Sequence, residues 1–200
     1  MRMRRLLIAV VALVAVLVVA DRVAVIAAQR DVARRIEVDQ HLSDAPSVTI
    51  GGFPFLTQLI GGTYDDVTVE LRGLHVSGVR VSRLTAHLHG AHVSFHDVVT
   101  QHVSRVPIDR ATAQVVLTYA DLDAMLAQQT GVQPARHLDA HVVTSASVEA
   151  GDRVVLHTSF GADVTVSLTG LPFGVRLVAV KVTQSGLELN GSAAGLVLRP

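Results

Sequence analysis

Pro46-Ser47-Val48-Thr49-Ile50-Gly51-Gly52-Phe53-Pro54-Phe55-Leu56-Thr57-Gln58-Leu59-Ile60-Gly61-Gly62 separates two kinds of sequence. Before it apolar residues recur at helical spacing, and after it they alternate with polar ones. Inside it, Val48 and Ile50 alternate with Ser47 and Thr49, the period of two of a half-buried strand. Two glycine pairs then bracket Phe53 to Ile60, and with Pro54 near the front they predict a short helical turn between strands. Past Gly62, Val67, Val69 and Leu71 alternate with Thr68, Glu70 and Arg72, which predicts a second strand.

Working outward, the alternation continues to the C-terminus. Leu84, Ala86 and Leu88 alternate with Thr85, His87 and His89, and Val93 and Phe95 with His92, Ser94 and His96. Ala111, Ala113, Val115 and Leu117 form a further apolar face, and similar runs cover 142–148, 154–160, 164–168 and 175–182. Gly90-Ala91, Ser185-Gly186 and Asn190-Gly191 read as turns, and Asp65-Asp66 as turn residues after Tyr64. One longer helix interrupts the strands. Thr118 and Asp121 have capping-box spacing, Leu122, Met125 and Leu126 give an apolar stripe, and Gly131 is the expected stop.

The fold class is therefore α+β: an N-terminal helix, then a meander of antiparallel strands with one internal helix. A sheet of so many strands must curl, and its apolar face must be covered. Only two helices of useful length are available, which leaves room for an apolar concavity of the kind that binds a ligand. A self-filled β-sandwich absorbs the same pattern.

Upstream of the quoted stretch, Arg2, Arg4 and Arg5 precede an apolar run from Leu6 to Ala20 that Asp21 and Arg22 break. A spanning helix needs about 20 apolar residues, with a lower limit near 17, and a signal-peptide core about 7 to 15, so this run of fifteen sits on the boundary. Val18-Val19-Ala20 offers a cleavage point; alternatively the helix continues through Val23 to Ala28 with the Arg22 side chain snorkelling to the interface. Both readings keep the basic end in the cytoplasm and export the rest. Residues 1–28 are expected to be a signal anchor or transmembrane segment and 29–200 an extracytoplasmic domain. From Val23 to about His41 a weak amphipathic stripe of Ile26, Ala33 and Ile36 persists until Ser43, Asp44 and Pro46 end it.

Composition narrows the functions further. Formal net charge is zero, so nothing points to a nucleic-acid partner. The absence of cysteine removes disulfides, thiol nucleophiles and thiolate metal sites together. No G-x-S-x-G elbow, H-E-x-x-H or P-loop occurs, and Asp65-Asp66 on a strand point to opposite faces, so no catalysis and no cofactor are expected. His87, His89, His92 and His96 invite a metal reading, but they fall on the polar face opposite Leu84, Ala86 and Leu88, where a solvated surface accounts for them. Arg72, Arg80, Arg83 and Arg105 are candidates for a lipid phosphate or, more simply, exposed strand residues.

The stretch from Pro46 to Leu59, with Gly62-Thr63-Tyr64 and Val67, resembles the LmeA family, whose pattern runs P-x-V-x-I, G-F-P-F-L-x-Q-L and G-x-Y-x-x-V. The N-terminal helix leading into Asp21-Arg22 is similar as well, as are Leu171-Pro172-Phe173-Gly174, Val180, Gly186-Leu187 and Gly191. The His-rich segment from His75 to His102 lies outside that pattern. The resemblance implies an actinobacterial cell-envelope protein that binds phospholipid, anionic species such as phosphatidylinositol among them. It further implies support of the mannan part of envelope glycolipids, with glycolipid-synthesis proteins as possible partners. The implied fold is like that of tubular lipid-binding proteins, a highly curved antiparallel sheet wrapped around a helix. Phe53, Phe55, Leu56, Leu59 and Ile60 concentrate apolar area in this segment and are the expected contacts to acyl chains. The competing expectation for these five is that they plug the end of the core. A non-catalytic envelope scaffold with a self-filled core is the competing function.

Overall fold

A computed structural model describes residues 2–39, 45–76, 79–100, 102–103, 105–130, 137–167 and 175–198. The first element, α1 (Arg2–Asp39), is one unbroken helix through Asp21 and Arg22. A charged residue interrupts hydropathy, but it leaves the backbone hydrogen-bond ladder intact. From Arg2 to Ala20 every residue is exposed, whereas Asp21, Ala24, Val25, Ala28 and Ile36 turn into the folded body. α1 is long and apolar enough to cross a membrane.

Next come β1 (Ser47–Ile50), α2 (Phe55–Gly61), β2 (Thr63–Val76), β3 (Val79–His92) and α3 (Phe95–Thr100). Then follow β4 (Val106–Thr118), α4 (Tyr119–Thr130), β5 (Val143–Glu149), β6 (Arg153–Thr158), β7 (Asp163–Ser167), β8 (Arg176–Val182) and β9 (Gly186–Leu198). The strands form an open six-stranded antiparallel sheet in the order β1-β2-β3-β4-β9-β8 and a three-stranded sheet β5-β6-β7. The protein is thus α+β as its periodicity predicts, with two sheets in place of one continuous meander. After β4 the chain detours through α4 and the small sheet, and β9 returns to pair with β4. A backbone hydrogen bond of 2.8 Å from Leu177 N to Gly151 O ties the two sheets together.

Four local expectations change. Asp65-Asp66, Gly90-Ala91 and Asn190-Gly191 lie inside β2, β3 and β9, not in turns. Asp65, Gly90, Asp109 and Gly195 fall in one line across β2, β3, β4 and β9, at a step where the register is interrupted and resumes on either side. Gly90 and Gly195 have φ of 64° and 63°, and along this line the inward-facing set slips by one residue on each strand. Left-handed glycine marks a kink in a continuous strand as readily as a turn, which is why sequence alone misassigns it. Phe95 belongs to a helix, not a strand: Ser94 Oγ accepts from Asp97 N at 3.1 Å, and this cap converts five alternating residues into a helical entry. The capping box at Thr118 and Asp121 forms as its spacing predicts, with Asp121 Oδ2 accepting from Thr118 N and Oγ1 and from Ser82 Oγ. The predicted stops at Ser43, Asp44 and Gly131 and the segment Leu171–Gly174 lie outside the described residues.

Buried apolar side chains form two separate clusters stacked along the strands. The first, nearest the exposed half of α1, joins Val25, Phe55, Tyr64, Ala91 and Ile108, with Leu56, Leu59, Leu196 and Leu198 packed against it. The second is larger. It joins Leu71, Leu84, Val115, Leu187 and Leu189 to α4 through Leu122, Met125 and Leu126, and to the small sheet through Val143, Val154, Leu156 and Val166.

Candidate functional site

The glycine- and phenylalanine-rich segment closes one end of the large sheet, and its residues have separable roles. Pro54 is the N-cap of α2 and provides no side-chain acceptor. Asp21, only 2% exposed, supplies the cap from α1: its Oδ1 accepts from Leu56 N at 2.8 Å while Oδ2 pairs with Arg22 at 2.7 Å. Gln58 is buried and bridges the segment to β2, donating from Nε2 to Gly51 O and accepting at Oε1 from Asp65 N, both at 3.0 Å. Gly52, at φ 88°, leaves room for the Gln58 amide, where a Cβ would collide with it. Gly62 ends α2 at φ 70°, donating to Gln58 O and accepting from Val93 N, which anchors α2 to the entry of α3.

The five residues singled out in the sequence therefore divide. Phe55 is 2% exposed and lies in the first cluster beside Tyr64, ring centroids 6.3 Å apart, and burial raises the Tyr64 phenol pKa. Leu56 and Leu59 are half-buried on the same cluster. Phe53 and Ile60 are 63% and 74% exposed, and the Arg22 guanidinium carbon sits 4.9 Å from the centre of the Phe53 ring.

A second feature adjoins this closed end and is invisible in linear sequence. Two cross-strand rows lie on the inner sheet face just beyond the kink. One runs Ile50, Val67, Leu88, Ala111, Ala193, and the next runs Val48, Val69, Ala86, Ala113, Gly191. The row after that is bulky: Leu71, Leu84, Val115, Leu189. Small residues thus converge from three strands at a seam between the clusters, where Val67, Val69, Leu88, Ala113 and Ala193 stay only partly covered. Crossing five strands, the seam is about 19 Å long at about 4.8 Å per strand spacing. The alanines read as ordinary alternation in sequence; only register brings them together.

The histidines disperse over the polar face. His87 Nδ1 lies 2.9 Å from Thr68 Oγ1, His89 Nδ1 3.4 Å from Asp66 Oδ1, and His92 Nε2 3.2 Å from Asp109 Oδ1, while His96 lies on α3 and not on a strand facing His92. Among the described residues no three His, Asp or Glu side chains converge as metal ligands. Arg72 and Arg83 both engage Glu70, and Arg105 is exposed.

An open sheet with a partly uncovered apolar inner face, sealed at one end by a helix that continues into an exposed apolar segment, has the features of a lipid-binding fold. The LmeA-like phospholipid-binding family matches residues 19–192, most of the chain, and the protein belongs to it. No curated protein and no solved structure matches the chain. The matched region begins two residues before Asp21, where α1 enters the folded body.

Proposed function

We propose that this protein holds a phospholipid at the outer surface of the plasma membrane, with one acyl chain along the seam between the two apolar clusters. The seam of small residues carries the reading. Each buried methylene contributes about 0.8 kcal/mol, so a chain segment of about ten methylenes gains roughly 8 kcal/mol. Leu56 and Leu59, half-buried on the first cluster, meet the end of the bound chain where the seam reaches α2, and Phe53 and Ile60 face outward beside them; Phe55, buried behind them, holds α2 in place. Arg2, Arg4 and Arg5 before the exposed helix support a cytoplasmic N-terminus and an exported domain, as anchor or signal sequence. The family resemblance extends the reading to anionic lipids such as phosphatidylinositol, to a non-enzymatic role in envelope glycolipid and mannan assembly, and to glycolipid-synthesis proteins as partners.

The test is mass spectrometry of organic extracts from the purified wild type and from Leu59→Glu and Ala113→Leu. The wild type is expected to carry phospholipid, with the retained headgroups reporting specificity. Both variants are expected to lose most of it while keeping the wild-type circular dichroism spectrum. Undiminished lipid in both variants, or a lipid-free wild type, refutes the proposal, and the latter favours the scaffold with a self-filled core.

A further inference from the structure

The exposed apolar residues outside α1 are not scattered. Phe53 and Ile60 border α2, and Phe95 and Val99 lie on α3, at 63%, 74%, 47% and 62% exposure. α2 is fixed to α1 by the bond from Leu56 N to Asp21, and to the entry of α3 by the bond from Val93 N to Gly62 O. The four side chains therefore belong to one connected unit around the point where α1 leaves the folded body. From Arg2 to Ala20 the helix is bare, and its uninterrupted apolar part, Leu6 to Ala20, is fifteen residues and roughly 22 Å at about 1.5 Å per residue. That is shorter than the hydrocarbon core of a bilayer, about 30 Å, and snorkelling of Arg2, Arg4 and Arg5 with local thinning of the bilayer closes the difference.

We infer that α2 and α3 form an apolar collar that docks into the surface of the same bilayer that receives the helix. With Leu6–Ala20 in the hydrocarbon and Arg2, Arg4 and Arg5 at its cytoplasmic edge, Asp21 stands at the opposite boundary. The collar is fixed to that residue, so Phe53, Ile60, Phe95 and Val99 meet the interface without any change of fold. Arg22, stacked on Phe53, is suited to this level, its stem among apolar groups and its charge at the phosphates. Docking seats the closed end of the sheet on the membrane and brings Leu56 and Leu59, the neighbours of the seam, to the lipid layer. The inference rests on the proposed membrane location of α1 and deepens it.

The chain has no tryptophan, so single substitutions give clean reporters. Full-length Phe53→Trp, Phe95→Trp, Val10→Trp and Phe160→Trp proteins are reconstituted into phosphatidylcholine–phosphatidylglycerol vesicles with acyl chains brominated near the headgroup or near the methyl end. Phe53→Trp and Phe95→Trp are expected to emit at shorter wavelength than Phe160→Trp, which reports from the small sheet. They are expected to lose most of their emission to the shallow bromines. Val10→Trp should respond to the deep ones. Quenched Val10→Trp with unquenched Phe53→Trp and Phe95→Trp overturns the collar and leaves the anchor standing. Unquenched Val10→Trp with quenched collar reporters overturns the anchor and supports peripheral docking. Loss of quenching at all three refutes both.

Discussion

Gln58 gives the most quantitative test of how the closed end is held together. Its side chain is the link between Gly51 and β2, through two bonds of 3.0 Å made in a buried setting. Gln58→Ala removes both. A neutral hydrogen bond contributes about 0.5–1.5 kcal/mol, and a buried group left unpaired costs about 1–3 kcal/mol. Water can reach part of this half-covered segment, so the expected loss is about 2–3 kcal/mol. For a chain of this size that lowers Tm by roughly 5–10 °C, taking about 2–4 °C per kcal/mol. The assay is thermal unfolding followed by circular dichroism in neutral detergent, which shields the exposed half of α1. Thr57→Ala is the control: its hydroxyl bonds Pro54 O at 2.7 Å in an exposed position, and its loss is expected to shift stability by less than about 0.5 kcal/mol. Gln58→Glu adds a signed test. An ionised carboxylate still accepts from Asp65 N but opposes Gly51 O, whereas the protonated acid can donate to that carbonyl. The deficit of Gln58→Glu relative to wild type should therefore shrink as pH falls through the carboxyl pKa. Equal melting of Gln58→Ala and Thr57→Ala, or a Gln58→Glu deficit that grows on acidification, refutes the reasoning.

Three further outcomes are expected. Asp121→Ala deletes the acceptor for Thr118 N, Thr118 Oγ1 and Ser82 Oγ, joining α4 to β3, and should destabilise by about 2–3 kcal/mol in the same melts. Gly186→Ala places a methyl against the Leu117 carbonyl at φ 150°, so it should accumulate as misfolded protein that is absent from the monomer peak in size-exclusion chromatography. Asp21→Ala should increase hydrogen exchange in a peptide covering Phe55–Gly61, while Asp31→Ala, which breaks only an exposed pair with Arg35, should leave that peptide unchanged.

Much of the fold is legible in the sequence because it depends on local periodicity. Val67-Val69-Leu71 and Leu84-Ala86-Leu88 reveal strands, and Thr118 with Asp121 reveals the start of α4. The kink line does not show, because Gly90 and Gly195 carry the same signal as turn glycines and only their alignment with Asp65 and Asp109 across the strands distinguishes them. The candidate site divides in the same way. The segment from Gly51 to Gly62 is conspicuous, and family resemblance adds to that, but Phe55 and Gln58 within it hold the structure together. The seam escapes notice because Ala86, Ala113 and Gly191 lie far apart in the chain and meet only because β4 pairs with β3 on one side and with the returning β9 on the other. Asp21 reads as an interruption of an apolar helix, and its role as the cap of α2 depends on a contact 35 residues away.

The central claim, that phospholipid lies along the inner face of the sheet, is tested most directly by photo-crosslinking with a phospholipid carrying a diazirine midway along one acyl chain, followed by peptide mapping. The account predicts adducts on Val67, Val69, Leu88, Ala113 and Ala193, reduced by Ala113→Leu. Adducts confined to Leu6–Ala20 and the exposed collar, with none on the strands, would contradict it.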